Sequence, residues 1–511
     1  MIEGLVERVR RVSVVARWLD GEPLPPALHL LLGLGIPLWI LCVNMWRVHW
    51  FTYDDAYISF RYARNLADGL GLVYNPGERI EGYTNFAWTV MVAAGMKVGV
   101  DPHVTAKLAG GGAAIGTLLV VYRLADRIAP LRAAPCIATW LLASSSTFSG
   151  YAMFGLETIG FVFLVMLGTW LMFREVERDR GIPWSGLVFA LAGLTRPEAP
   201  MFLGIPMLLL GRRFFARQNL LRGVLFAAPL ALHLLWRHDY YGAWLPATLS
   251  AKTGNLRQQV EAGKGYLEGW LQHAGPIVFL MLYGIAVGVV RKHRETLTLA
   301  AVFTAICGYV LLVGGDWMSY FRFMAPAEPY AFLLVGMTVR AIIEHRKAAP
   351  ILALGGFLTW VGIERVDHIA EAQKKWLAEE KRFWDNAAGQ AAEWLATRGK
   401  PGRVAIGDIG YVGYRTNYPI LDLLGLVDPV ISQLPGGYTQ KIGKGYKERF
   451  FDVMPEYVVI IMNGQACKEA GMKASRQLYD DRRFRRNYAI AHNIQVVSEA
   501  GWCIFKRKDF E

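Results

Sequence analysis

The sequence predicts a polytopic α-helical membrane protein that carries a small α/β domain at its C-terminal end. Three observations lead there. Of 511 residues, 54% are hydrophobic and 19% charged, with a mean hydropathy of +0.26; a soluble chain of this length holds more charge. The apolar residues are gathered into long runs, and a hydrocarbon core about 30 Å thick needs roughly 20 such residues per helix. From about residue 366 the runs stop, and short β-like segments replace them.

Residues 1–26 are polar and amphipathic, with Arg8, Arg10, Arg11 and Arg17 and no cleavable leader pattern, so Leu28 to Trp46 reads as a signal-anchor helix. Apolar runs near 27–47, 103–122, 133–150, 156–173, 183–194, 197–211, 221–236, 274–290, 297–313, 324–339 and 349–363 give eleven candidate spans. Alternate connections carry the basic residues: Arg123, Arg127 and Arg132; Arg174, Arg178 and Arg180; Arg212, Arg213, Arg217 and Arg222; Arg291, Lys292 and Arg294; Arg340, Arg346 and Lys347. By the positive-inside rule these connections are cytoplasmic, as is the basic N-terminus. The chain then divides into a cytoplasmic segment 1–26, a membrane domain 27–365 with a long first outward loop at 48–102, and an outer α/β domain 366–511. The net charge of +13 is explained by these clusters facing anionic headgroups, which removes nucleic acid as a partner and leaves membrane lipids.

Within the first outward loop, Asp54 to Leu66 has helical character and Asn75-Pro-Gly is a turn. Phe86 to Val98 is apolar but too short to span, and is expected along the interface. The tail opens with a helical stretch, His368 to Thr397. Strand-like runs follow at 403–408, 457–462, 488–497 and 502–507. Cys42, Cys136 and Cys307 sit in apolar runs as small hydrophobes. Cys467 and Cys503 both fall in the tail, where an outer location permits a disulfide. None has metal-ligand spacing.

The chemistry-bearing clusters all fall on the outward connections. Asp54 and Asp55 are adjacent, so each disfavours the other's ionisation and one is available as a base. A solvated first helical turn explains one acid; it explains less well two acids flanked by Tyr53, Tyr57 and Arg61. Arg196 either pairs with Glu198 or binds a phosphate from the membrane side. Lys252 and Arg322 are further phosphate candidates. Tyr53, Tyr57, Arg61, Glu81, Glu157, His238, Asp239, Asp316 and Trp317 are candidate substrate contacts, with Tyr53, Tyr57 and Trp317 packing on sugar rings. The two acids leave a divalent cation open without supplying a complete ligand set.

Together these residues describe one outward-facing cavity with carboxylates, aromatics and cations. No nucleotide sugar or ATP is available on the outer side of a bacterial membrane. Group transfer there needs a donor that arrives activated and anchored, such as a polyprenyl-phosphate sugar. Its phosphate needs Lys or Arg, and the acceptor hydroxyl needs a carboxylate base. A transporter is the rival class, but the charged residues cluster at one face rather than mid-membrane, and no inverted repeat is visible. A non-catalytic envelope scaffold is the other rival.

The stretch DDAYISFRYARNLADGLGLVYNPGERIEGYTN (54–85), with FGLET (154–158), LTRPEA (194–199), GGDWM and FRFMAP (314–326), and GDIGYVGYRTNYPILDLLGLVDP (407–429), resembles in its order the arabinofuranosyltransferase B family of GT-C membrane glycosyltransferases. The resemblance runs from about residue 50 to 430. It implies a GT-C fold with a soluble periplasmic C-terminal domain in the bacterial inner membrane. It also implies a polyprenyl-phosphate arabinofuranose donor and transfer to a terminal arabinan hydroxyl. The acid that GT-C enzymes use in the first outward loop maps onto Asp54 or Asp55, with Asp54 favoured as base. The tail is short for mycobacterial members, which leaves the acceptor open: a cell-envelope glycan or glycoconjugate, or a protein or lipopolysaccharide that receives another polyprenyl-linked sugar.

Overall fold

The structure is a computed structural model that describes residues 25–128, 135–252, 256–344, 370–437, 441–464, 467–497 and 500–510. Five described helices are long and apolar enough to cross a bilayer: Pro26–Val48, Pro102–Ile128, Thr158–Arg178, Arg217–Tyr241 and Arg294–Val313. A sixth span arises if Leu256–Ala274 and Ile277–Val290, bent by 96° at a break between them, count as one. The expected eleven spans are therefore not reached among the described residues, and local chemistry explains why. The run at 133–150 breaks at Ser145, whose Oγ accepts the Phe148 N–H at 3.1 Å and caps a new helix, Ser146–Met153. The run from 183 to 211 yields two helices of 11 residues each, Ser185–Thr195 and Ala199–Leu209, because Arg196 is extended ahead of Pro197. Glu328–Glu344 is also short, and the run at 349–363, like the N-terminal residues 1–24, lies outside the described residues. The apolar stretch after the first loop forms the Phe86–Lys97 helix.

The tail begins with the Ala370–Trp384 helix, a π-turn at Asp385–Gly389 and the Gln390–Thr397 helix. Six strands follow: β1 (Val404–Ile406), β2 (Ile420–Asp422), β3 (Tyr457–Asn463), β4 (Glu469–Ala470), β5 (Tyr488–Val497) and β6 (Ala500–Arg507). They form one mixed sheet in the order β2-β1-β3-β6-β5, with β4 beside β3. β1 is parallel to β2 and β3, and β6 is antiparallel to β3 and β5. All four strand-like runs in the sequence are strands; β2 and β4, at three and two residues, were too short to leave a periodic signal. Cys467 and Cys503 are disulfide-bonded, with Cα atoms 5.9 Å apart.

Alternation along the strands gives the sheet two buried faces. Ala405, Val458, Ile460 and Phe505 pack on Tyr446, Phe450 and Phe484 within the tail. On the opposite face, Val404, Ile406, Tyr457 and Ile504 share a core with Ile58, Tyr62, Leu72 and Tyr74 of the first loop. Burying a side chain such as Leu72 there contributes about 1.5–3 kcal/mol. Polar contacts fix the register of this junction. Arg61 is fully buried, and its guanidinium donates to the carbonyls of Tyr74, Gly413 and Tyr418, each at 2.8 Å. The Asn75 side chain accepts the Ile420 N–H at 2.9 Å and donates to the Ile420 carbonyl at 2.8 Å, as a neighbouring strand would along the exposed edge of β2.

Candidate active site

The first-loop helix, Asp54–Ala67, starts at the acid pair. Asp54 is buried, and both its oxygens are held by the tail: Oδ1 accepts the Tyr411 N–H at 2.7 Å and Oδ2 the Gly410 N–H at 3.0 Å. These amides open the helix Gly410–Thr416, directly after β1 and the Gly407-Asp408 turn. Burial pushes the Asp54 carboxyl up to about 6; the two amide bonds oppose this and the Asp55 charge adds to it. Asp55 is half-buried and, among the described residues, receives no hydrogen bond; its charge reaches both Arg322 and Asp408. Burial together with the charges of Asp54, Asp55 and Asp422 pushes Asp408 up to about 8. Asp422 is raised to about 6 by burial, although it accepts N–H groups of Leu424 and Val427.

Arg196, Glu157, Arg322 and Asp316 do converge, but on one another. Arg196 Nη1 lies 3.1 Å from Glu157 Oε1, and Arg196 Nε lies 2.5 Å from Glu198 Oε1. The second Glu157 oxygen accepts from Asn85 at 2.9 Å. Arg322 Nε sits 2.7 Å from Asp316 Oδ2, whose partner oxygen accepts the Tyr266 hydroxyl at 3.1 Å. The Phe323 ring lies under both guanidinium groups, at 5.4 and 5.3 Å. Buried cations with this many partners hold the Thr195–Ala199 break and the 314–324 turn in place.

A cavity of about 940 Å³ opens beside Asp54. Its walls are apolar along Met45, Trp46, Leu108, Gly111 and Ile115, deep in the first two spanning helices, and it rises to Tyr57, His103, Lys107 and Lys381 at the acid end. Lys107 Nζ donates to the carbonyls of His49 and Phe51, 3.0 Å to the latter. Lys381 pairs with Asp385 one helical turn on. The Tyr57 ring meets Tyr411 at 5.1 Å and His103 at 5.2 Å, edge to face. Buried Tyr53 stacks on Tyr151 at 6.0 Å and meets Trp317 edge-on at 6.0 Å; Trp317 is 52% exposed and lies 6.1 Å from Trp384 of the tail.

Other candidates lie elsewhere. Arg61 spends its guanidinium on Tyr74, Asn75, Gly413 and Tyr418 at the junction between the first loop and the tail. Glu81 is buried against Arg237, Oε2 to Nε at 2.6 Å, and fastens the first loop to the Arg217–Tyr241 helix. His238 and Asp239 are exposed at that helix's end, His238 stacked on Trp244 at 4.2 Å. Lys252 ends the Ala247–Lys252 helix. The sequence reading passed over His103, Lys107, Lys381, Asp408, Gly410 and Tyr411. An i, i+4 His–Lys pair at the head of an apolar run was a usable signal for the first two; the other four are brought in by tertiary contact from the tail. Among the described residues no three acidic, His or Cys side chains converge in a way that would hold a metal ion.

The raised acids predict a pH dependence of stability. Asp54, Asp408 and Asp422 all titrate above the ordinary 3.8 when folded. Their protonated forms therefore favour folding, an advantage present in full below about pH 4 and lost as pH rises through the folded values. All three contribute to the loss between about pH 4 and 6, and only Asp408 between about 6 and 8. The melting temperature is expected to fall from pH 5 to pH 8. Asp408→Asn is expected to flatten the upper part of that fall while leaving the lower part. A wild-type profile in the variant, read by scanning fluorimetry, would contradict this arrangement.

Residues 374–508 match a family described as "Domain of unknown function (DUF8728)". Over 392 residues the chain is 27% identical to a terminal beta-(1->2)-arabinofuranosyltransferase of Corynebacterium glutamicum, covering 66% of this chain and 56% of that protein. It is 31% identical over 226 residues to the Mycobacterium tuberculosis protein of the same name, covering 40% of this chain and 35% of the relative. The matches thus span about half, or less, of the curated relatives' own length. Among solved structures, ArnT from Cupriavidus metallidurans bound to undecaprenyl phosphate superposes with a TM-score of 0.56 at 11% identity, covering 94% of this chain and 98% of that one. The chain has the fold of the GT-C membrane glycosyltransferases and is related in sequence to the terminal β-(1→2)-arabinofuranosyltransferases.

Proposed function

We propose that the protein is a membrane glycosyltransferase that moves an arabinofuranosyl residue from a polyprenyl-phosphate donor to a hydroxyl of a cell-envelope glycan or glycoconjugate, on the outer side of the membrane. The observation that carries this reading is the cavity beside Asp54, apolar along the spanning helices and lined by cations where it meets the acids. The lipid tail lies along Leu108, Gly111 and Ile115, and the phosphate reaches Lys107, His103 and Lys381. Arg196 and Arg322 are buried in their carboxylate pairs and act instead as positioning groups, whereas Lys381 is partly exposed on the cavity wall and can exchange Asp385 for phosphate. The acceptor oxygen attacks the anomeric carbon as the bond from that carbon to the phosphate oxygen breaks. The hydroxyl proton passes to Asp54, and polyprenyl phosphate leaves with both bonding electrons. The Asp55 charge, between Asp54 and Arg322, favours a base that ionises near neutrality. The ArnT structure with undecaprenyl phosphate supports a polyprenyl donor for this fold, and the named relatives support the sugar.

The test is transfer of radiolabelled arabinose from synthetic polyprenyl-phosphate arabinofuranose to an arabinan oligosaccharide by purified protein in detergent, with polyprenyl-phosphate mannose as the control donor. Arabinose transfer is expected, and Lys381→Gln is expected to raise the donor KM by about two- to tenfold, as for loss of a partly exposed phosphate contact. Equal transfer of mannose would remove the assigned sugar. Lipid movement without a new glycosidic bond would replace the enzyme by a transporter.

A further inference from the structure

The Pro102–Ile128 and Thr158–Arg178 helices pack side by side, and a Cβ on Gly116 would meet the Phe163 ring at 2.6 Å. Beyond that close approach they line a second cavity, of about 630 Å³. It lies at the far end of the first helix from His103: Arg127 is 24 residues further along, about 36 Å at 1.5 Å per residue. That is roughly a bilayer's hydrocarbon thickness away from the acids.

The lining repeats at helical spacing on both sides. Leu119, Arg123 and Arg127 form one stripe; Trp170, Arg174 and Arg178 form the other. Each stripe is apolar toward the middle of its helix and cationic toward its end. Leu119 is 43% exposed, turned outward from the protein core. The four arginines face two carboxylates, Asp126 and Glu177. Arg127 is engaged, with Nε 2.6 Å from Glu295 and Nη1 3.1 Å from Glu177. The Arg174 guanidinium lies over the Trp170 ring at 4.6 Å, and both residues line the cavity. Among the described residues, Arg123, Arg174 and Arg178 have no carboxylate within ion-pair distance.

We propose that this cavity binds the headgroup of an anionic glycerophospholipid, with an acyl chain along Leu119 and Trp170 and the phosphate between Arg123, Arg174 and Arg178. A planar guanidinium suits phosphate oxygens, and the apolar-to-cationic gradient along both helices matches a lipid's own from chain to headgroup. The site is separate from the donor cavity and does not depend on which sugar is transferred.

Native mass spectrometry of the full-length, delipidated protein in detergent tests this, with dioleoylphosphatidylglycerol, dioleoylphosphatidylcholine and glycerol 3-phosphate as probes. Wild type is expected to retain phosphatidylglycerol in preference to phosphatidylcholine. Retention is expected to weaken about fivefold for each arginine removed, in Arg123→Gln and in the double variant Arg174→Gln/Arg178→Gln. The control Arg212→Gln/Arg213→Gln, on the exposed turn Gly211–Phe215, is expected to bind as wild type. Unchanged retention in the cavity variants, or equal retention of phosphatidylcholine, would overturn the proposal. Displacement of lipid by equimolar glycerol 3-phosphate would also overturn it, by making the ligand a soluble phosphate. If the double variant is not recovered folded, Arg123→Gln, which removes an exposed side chain, decides the matter.

Discussion

Asp54→Asn is expected to lower kcat for arabinosyl transfer by about 10²- to 10⁴-fold, the usual cost of removing a general base, while donor KM changes little. Asparagine has nearly the shape of aspartate but cannot take the acceptor proton. It keeps one oxygen for the Tyr411 N–H and turns an NH₂ toward the Gly410 N–H, so one of the two bonds to the tail is lost. That loss costs about 1–3 kcal/mol of docking, which must be separated from the catalytic loss. The pH profile does so. If Asp54 is the base, wild-type kcat rises with pH through about 6, and the residual rate of the asparagine variant loses that limb. A variant that only undocks the tail keeps the limb at reduced amplitude. Asp55→Asn, which removes no hydrogen bond from a described residue, is expected to be milder and to shift the limb downward, because the neighbouring charge that helps raise Asp54 is gone. Wild-type turnover in both variants would exclude the acids from the chemistry and favour a scaffold.

How much of this was legible in the chain depends on the range of the interaction. The first-loop helix, the Asn75 turn, the tail's helical opening and four strands all follow from local pattern, and each is present. The eleven spans are not all found among the described residues, because a hydropathy run does not register a cap at Ser145 or an extended residue at Arg196; both interrupt the helix without interrupting the apolarity. Arg61 was read as a substrate contact because it shares a helix face with Asp54. Its role as a clamp depends on the carbonyls of Gly413 and Tyr418, more than 350 residues away. Arg196 was read either as a partner of Glu198 or as a phosphate contact, and Arg322 as a phosphate contact; Arg196 pairs with both Glu198 and Glu157, and Arg322 with Asp316. What could not be read was that these buried cations spend their donors on carboxylates, which is why the proposed phosphate contacts are instead the cavity-lining Lys107 and Lys381. Short polar segments announce that they are unusual; only the packing shows what they face.

Gly410→Ala is expected to separate the tail from the acids and to reduce transfer about as far as Asp54→Asn does. A Cβ built at Gly410 would lie 2.0 Å from the Asp54 backbone oxygen, 2.4 Å from Oδ2 and 2.6 Å from Cγ. The nearest of these is backbone in the first turn of a packed helix and cannot rotate away, so the Gly410–Thr416 helix must retreat. Even a one-ångström retreat breaks the bonds to the Gly410 and Tyr411 amides, leaves a buried carboxylate without its donors, and strains the Arg61 contact with the Gly413 carbonyl. The added methyl is worth about 1–3 kcal/mol of overpacking by itself. Its functional effect should be larger, because it removes the tail's amides from Asp54. The expected readouts are faster proteolytic release of the tail, a lower melting temperature, and weak transfer that retains a pH limb, displaced upward from about 6 because the two amides that lower the Asp54 value are gone. Gly223→Ala, in the Arg217–Tyr241 helix with open space around the new methyl, serves as the control and should be neutral. If Gly410→Ala is released no faster than wild type and transfers normally, the amides at the start of that helix do not organise Asp54. The tail would then be a cover over the cavity, and the membrane domain alone would carry the chemistry.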